Sequence, residues 1–174
     1  MAQANIKTSA VAVETQQYLT FVLTGEVFAM GILAIKEIIE YAELTEVPMM
    51  PGYVRGVINL RGAVVPVIDL SVRFGKPASP VTKRTCIVII EVVANSERHV
   101  LGVIVDAVNA VLDIPAAEIE PPPAFGASIR TDFIQGMGKM NGKFVIILDV
   151  DHVLAPDEMS TLAEVQEAVA NQAA

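Results

Sequence analysis

From Gln17 onward the chain alternates short apolar runs with small polar breaks, a strand-and-turn pattern. Tyr18, Phe21 and Val22 lead to a Thr24-Gly25-Glu26 turn, and Val27-Phe28-Ala29-Met30 returns. From Gly31 to Glu40 the apolar positions fit a helical turn and a bulged, half-buried strand equally. Tyr41 to Val47 predicts another strand, ended by Pro48 and Pro51, which cannot donate to a ladder. Gly56 to Leu70 then forms two apolar runs about a turn at Arg61-Gly62, where Gly62 can take a positive φ. Asp69 is placed to cap a short helix from Leu70 to Phe74, stopped at Gly75.

Lys76 to Lys83 carries Pro and Ser and predicts a linker. Strands resume from Thr85 to Val93 and from His99 to Val105 about a polar turn at Asn95-Ser96-Glu97. Asp106 to Pro115 is apolar with interruptions, and Glu120-Pro121-Pro122-Pro123 opens a loop to about Arg130. Phe133 to Met140 and Lys143 to Leu148 flank Asn141-Gly142, a dipeptide suited to a type I′ hairpin turn. Asp157 to about Asn171 spaces Met159, Leu162, Val165 and Val169 as one face of an amphipathic helix. Residues 1–16 show no sustained period and predict a flexible tail.

The second half repeats the first. Gly56, Gly62, Asp69 and Leu70 match Gly136, Gly142, Asp149 and Val150 at a common shift of eighty positions. Gly31-Ile32-Leu33 finds a counterpart in Gly102-Val103-Ile104 at a shorter shift, so an insertion separates the anchors, most simply at the loop near Pro121. Two similar sets of short strands predict two small antiparallel barrels, and since a barrel of about 65 residues is marginal alone, a shared core between them is expected.

Composition narrows the function classes. Hydrophobic residues are 53% and charged ones 18% of 174 residues, the balance of a folded, core-rich protein. No apolar run approaches the roughly 18 residues of a membrane span, and the N-terminus lacks a signal pattern, so a soluble, cytoplasmic protein without membrane insertion is expected. A single cysteine leaves no internal disulfide. A net charge of −8 with scattered basic residues argues against nucleic acid. An oligonucleotide- or small-molecule-binding barrel would want stacking aromatics, yet there is no Trp and aromatics are 5%.

Candidate chemistry is sparse. Gly136 to Lys143 lacks both the dinucleotide spacing and the residue after lysine that a P-loop needs, and it sits in a hairpin. His99, His152 and Cys86 have no metal-ligand spacing, and Cys86 reads as a small core residue, so no cofactor or metal is expected. Asp69 and Asp149 hold equivalent places before candidate helices, and Asp106 follows a strand similarly. Capping suits all three, since an acid–base pair needs unlike environments. No enzyme activity is expected.

Two residues break the repeat. Arg61 stands where the second half has Asn141, and Glu37 where it has apolar Val108 nearby. Both lie among valines and isoleucines, so an ion pair between them would let each occupy an apolar surface. Such a pair could tie two strands, or form the charged centre of an apolar docking face, where Arg is often a hot spot.

Asn59-Leu60-Arg61-Gly62, then Val64 to Leu70, with Ile35-Lys36-Glu37-Ile38 upstream, resembles the bacterial chemotaxis coupling protein family, CheW. The resemblance runs through Gly102 to Asp106 and Phe133 to Gly136 and covers about residues 17–155. It implies a mainly β fold: two intertwined five-stranded SH3-like antiparallel barrels around a shared hydrophobic core, with a boundary near 76–83, short helices and a C-terminal helix or tail over 156–174. It further implies an adaptor between the histidine kinase CheA and chemoreceptor cytoplasmic tips, recruited to membrane-associated arrays, with room for contacts between copies of the protein there. Ile35, Glu37, Arg61 and Val111 would face the receptor. The kinase's regulatory domain, itself a double barrel, would dock on exposed strands near Ile87, Val88 and Gly102, with Gly56 supporting the hairpin. Two related roles stay open: a coupling protein of another array, such as one for pilus motility, and a detached kinase regulatory domain.

Overall fold

The computed structural model describes residues 15–94, 96–122, 133–140, 142–154 and 156–173, without the side chains of 156–157, 165 and 170–173. Its strands are β1 (Thr15–Leu23), β2 (Glu26–Gly31), β3 (Ile35–Glu40), β4 (Val54–Leu60), β5 (Ala63–Asp69), β6 (Cys86–Ala94), β7 (Glu97–Val105), β8 (Ala107–Pro115), β9 (Ile119–Glu120), β10 (Ile134–Met140) and β11 (Lys143–Leu148). They form two sheets, ordered β8-β1-β2-β11-β10-β9 and β3-β6-β7-β5-β4. Apart from the two-residue β9, the two orders correspond strand for strand. These are the two SH3-like barrel subdomains.

Each sheet draws strands from both halves of the chain. The expected border at 76–83 is therefore not a border between sheets, because that segment joins β5 to β6 within one sheet. The exchange also corrects the purely antiparallel expectation: β2 and β11 pair in parallel, as do β5 and β7. A parallel pair cannot be made by a tight hairpin. It is the signature of the two halves interleaving.

Burial explains why β6 and β7 read as near-continuous apolar runs. Ile87 and Ile89 point into the core of their own barrel with Val65, Val67 and Ile104. Val88, Ile90 and Val92 point the other way, into the core shared with the other sheet, beside Leu19, Phe21 and Leu101. A strand buried on both faces has no polar alternate positions. Tyr18, Ile114, Val145 and Ile147 fill the second barrel. Ring contacts from Phe21 through Phe28 and Phe74 to Phe133 run through the shared core, with centroids 5.4–6.1 Å apart.

The ambiguous segment after Gly31 resolves into both candidates in turn, a 3-10 turn over Ile32–Ala34 and then β3. Tyr41 to Val47 is not a strand. Only Thr45 bridges, to Val57, with which it exchanges both backbone hydrogen bonds. β1 starts two residues inside the expected tail; residues 1–14, and most of the loop after Pro121, lie outside the described residues.

The eighty-residue shift maps β4–β5 onto β10–β11 and is kept in the backbone. Asp69 N–H donates to Tyr53 O, and Asp149 N–H to Phe133 O. The counterpart of Gly102 is different from the one expected. Gly102 lies beside Val67 and Ala29 beside Ile147, so Gly102 corresponds to Ala29 and not to Gly31.

The aspartates have diverged. Asp69, buried, accepts from the N–H groups of Ser71 and Val72 at the head of the helix Leu70–Arg73 and takes Arg55 Nη1 at 2.8 Å. Asp149 caps nothing and instead meets His152 Nδ1 at 2.7 Å, near the surface. Asp106 accepts the N–H of Thr24 and fixes the β1–β2 turn. We expect Asp69→Ala to cost about 2–4 kcal/mol, since it orphans two donors and a half-buried arginine. Asp149→Ala should cost no more than about 1 kcal/mol. Urea unfolding of the two variants side by side measures the difference.

Candidate functional site

β3 carries a bulge between Ile35 and Glu37 that decides what its side chains do. Ile35 lies opposite Ile90 and packs on the shared core, whereas Glu37 lies opposite Ile89 and turns to the mouth of the barrel. Without the extra residue the two would share a face. On the far side of the mouth, Arg61 and Gly62 form the β4–β5 turn with φ of 52° and 89°. Two successive positive φ values mark the type I′ geometry, and Asn59 Oδ1 accepts the N–H of Gly62 at 2.8 Å. Arginine is an unusual choice for the first of these positions, which Asn or Gly adopts more readily.

The turn places Arg61 Nη2 at 2.7 Å from Glu37 Oε2. Glu37 is half-buried, with its side chain 29% exposed, while that of Arg61 is 72% exposed. The hydrogen bond to Glu37, and then its charge, push the guanidinium still further above its ordinary range, so the cation is permanent. An exposed pair of this kind adds little stability. What it does is hold a charged edge in one geometry above the cavity of about 350 Å³ that Leu60, Val65, Ile89 and Val100 line. Glu37 Oε1 is shielded from solvent and without a hydrogen-bond partner among the described residues, so the carboxylate retains an unused acceptor.

Val111 lies on β8, the edge strand of the other sheet that corresponds to β3, and is half exposed. The structure thus joins Glu37 to Arg61, turns Ile35 away from them to the shared core and leaves Val111 on the second sheet. Leu33, on the 3-10 turn, and Ile38, on β3, are exposed apolar residues, and Ile38 lies opposite Val88, on the face of β3 away from Glu37. Asn141, the counterpart of Arg61, lies outside the described residues.

The second set of expected contact residues is not on exposed strands. Ile87 and Val88 are fully buried, β6 and β7 are interior strands, and Gly102 sits under the side chains of Ile87 and Val67. Their alternation between two cores leaves no face for a partner to touch. Gly56 is also buried, at a bulge of β4, with φ of 151° and the carbonyl of Thr45 pressed against it.

Among the described residues no three His, Cys, Asp or Glu side chains gather into a metal-binding group. Burial, then Glu40, push the Cys86 thiol above its usual range, the opposite of what a nucleophile needs. Gly136 and Gly138 pack under Ile119 and Ile114 inside the barrel, so that glycine-rich stretch serves packing.

The fold is a doubled barrel with the Glu37–Arg61 pair at the mouth of one barrel. A family model described as CheW-like domain matches residues 17–158, and the chain belongs to that family. It is 32% identical to chemotaxis protein CheW of Klebsiella aerogenes over 86% of this chain and 88% of the relative. To chemotaxis protein CheW of Bacillus subtilis it is 35% identical, over 91% and 95%. The crystal structure of the scaffolding protein TtCheW from Thermoanaerobacter tengcongensis is similar, with a TM-score of 0.72 and 34% identity, covering 79% of this chain and 86% of that one. The family is one of chemotaxis scaffold proteins and not of enzymes.

Sequence reasoning missed Gln166, whose side chain on the C-terminal helix reaches the same cavity. A polar residue beside Leu162 and Val169 on an apolar stripe was the available signal. We expect Gly102→Ala to lose about 1–3 kcal/mol through the 2.7 Å approach of its new Cβ to Ile87 Cγ2. Gly56→Ala should lose about 3 kcal/mol or more, since backbone at 2.4 Å cannot yield. Thermal unfolding checks both. Arg61→Asn, which copies the turn of the other half, should keep or raise the unfolding midpoint although it removes the pair.

Proposed function

We propose that this protein is a non-enzymatic adaptor that couples chemoreceptors to a histidine kinase of the CheA type. The observation that carries the reading is the Glu37–Arg61 pair, held at one barrel mouth over a cavity that Leu60, Val65, Ile89 and Val100 line together with Lys36, where the repeat's other half has Asn141 in place of Arg61. An apolar surface with one charged centre suits the side of a helical hairpin, the form of a receptor tip in this family. On this reading Ile35, on the other face of β3, and Val111, on the second sheet, extend the receptor contact beyond the pair.

For the kinase we read Gly56, Ile87, Val88 and Gly102 as packing beneath the docking surface. Substitutions there would act by changing the shape of β4 to β7. A barrel edge can take another barrel by strand addition. Two modest contacts of this sort in an array gain from multivalency instead of from one tight interface. No helix among the described residues is long and apolar enough to cross a membrane, so on this reading the receptors hold the protein at the membrane.

Arg61→Glu tests the reading, because it places two carboxylates together and leaves every core residue in place. Receptor affinity should fall about tenfold, as for an arginine hot spot, and receptor-stimulated kinase autophosphorylation should fall with it, while the circular dichroism spectrum stays unchanged. The double variant Glu37→Arg with Arg61→Glu should recover part of the loss. Undiminished receptor-dependent activation by Arg61→Glu would overturn the placement.

A further inference from the structure

The C-terminal helix, Pro156–Ala173, is tied down at its start and reaches the candidate site further along. Glu158 binds Arg73 through both oxygens, at 2.8 and 3.0 Å, and accepts the hydroxyl of Tyr53 at 2.9 Å. Met159 and Leu162 are buried in the shared core. Positions 159, 162 and 166 fall on one helical face, so the same stripe that docks the helix carries Gln166 forward over the sheet. There Gln166 Nε2 donates to the main-chain carbonyl of Val64.

That carbonyl lies where β5 is short of partners. β5 pairs with β7 only over Val67 to Asp69, so from Ala63 to Pro66 its ladder partner is β4 alone. The free stretch is the outgoing limb of the turn that holds Arg61. Gln166 also forms part of the wall of the cavity that Glu37 and Arg61 overlook.

We infer that Gln166 is a positioning residue for the Glu37–Arg61 surface: the C-terminal helix braces the outgoing limb of the Arg61 turn through the Val64 carbonyl. The inference rests on the receptor-facing reading above. It extends the site beyond the matched family region, which ends at residue 158. The brace works by confining the turn, so that Arg61 meets its partner without first being ordered.

The test is Gln166→Glu in the full-length protein, which keeps the side-chain shape but turns a carboxylate oxygen toward the carbonyl; Gln166→Ala is its companion. Receptor-fragment affinity should drop about threefold to tenfold, the size of one lost hydrogen bond. Kinase affinity should stay unchanged, and hydrogen exchange across residues 59–66 should quicken without a comparable change in β6 and β7. Equal loss of receptor and kinase binding would mean a general structural effect and would overturn the proposal. So would wild-type exchange at 59–66, or wild-type receptor affinity in both Gln166 variants while Arg61→Glu binds poorly. If Arg61→Glu itself binds receptor normally, the receptor-facing reading falls, and the exchange measurement alone then decides whether the brace exists.

Discussion

The structure depends on burial of the central strands from both sides. A five- or six-stranded barrel of this size buries a modest share of its surface and is marginal alone. Here β6 and β7 give alternate residues to their own barrel and to the core between the sheets. Ile87 and Ile89 belong to one, Val88 and Ile90 to the other, and neither set could be exposed without opening both. Interleaving follows from the same need: once β2 pairs with β11 and β5 with β7, neither half of the chain can close a barrel without the other.

Against this frame the functional surface is a local departure. The duplicated hairpins share their glycines, their bulges after Val54 and Ile134, and the backbone bonds of Asp69 and Asp149. What differs is at the mouth of one barrel, where a turn suited to Asn-Gly holds Arg-Gly and an edge strand carries Glu37. The pair adds little to stability, and its value is directional. It presents one fixed cation beside an apolar cavity and leaves one carboxylate oxygen unmatched. Scaffold function needs such a specific, modest contact more than it needs a tight one.

Much of this could be read in the sequence. The Thr24-Gly25 and Arg61-Gly62 turns, the cap at Asp69 and the C-terminal helix follow from local chemistry. The partnership of Glu37 with Arg61 came from a break in the repeat. Misreadings arose where local pattern was silent about neighbours. Tyr41 to Val47 has strand-like residues but only Thr45 finds a bridge, and the resemblance implies exposed strands at Ile87 and Val88, whereas both residues are buried.

By itself the sequence determined most of the strands and their turns, which are written in residues close together in the chain, and the duplication and its asymmetry, which show when the two halves are laid side by side. Only the tertiary structure decided which strands pair, which faces are buried and where the bulge at Lys36 turns Glu37. It also brought Gln166 across to Val64. Those outcomes depend on contacts between segments tens of residues apart, where a shift of one residue would exchange the two faces of a strand.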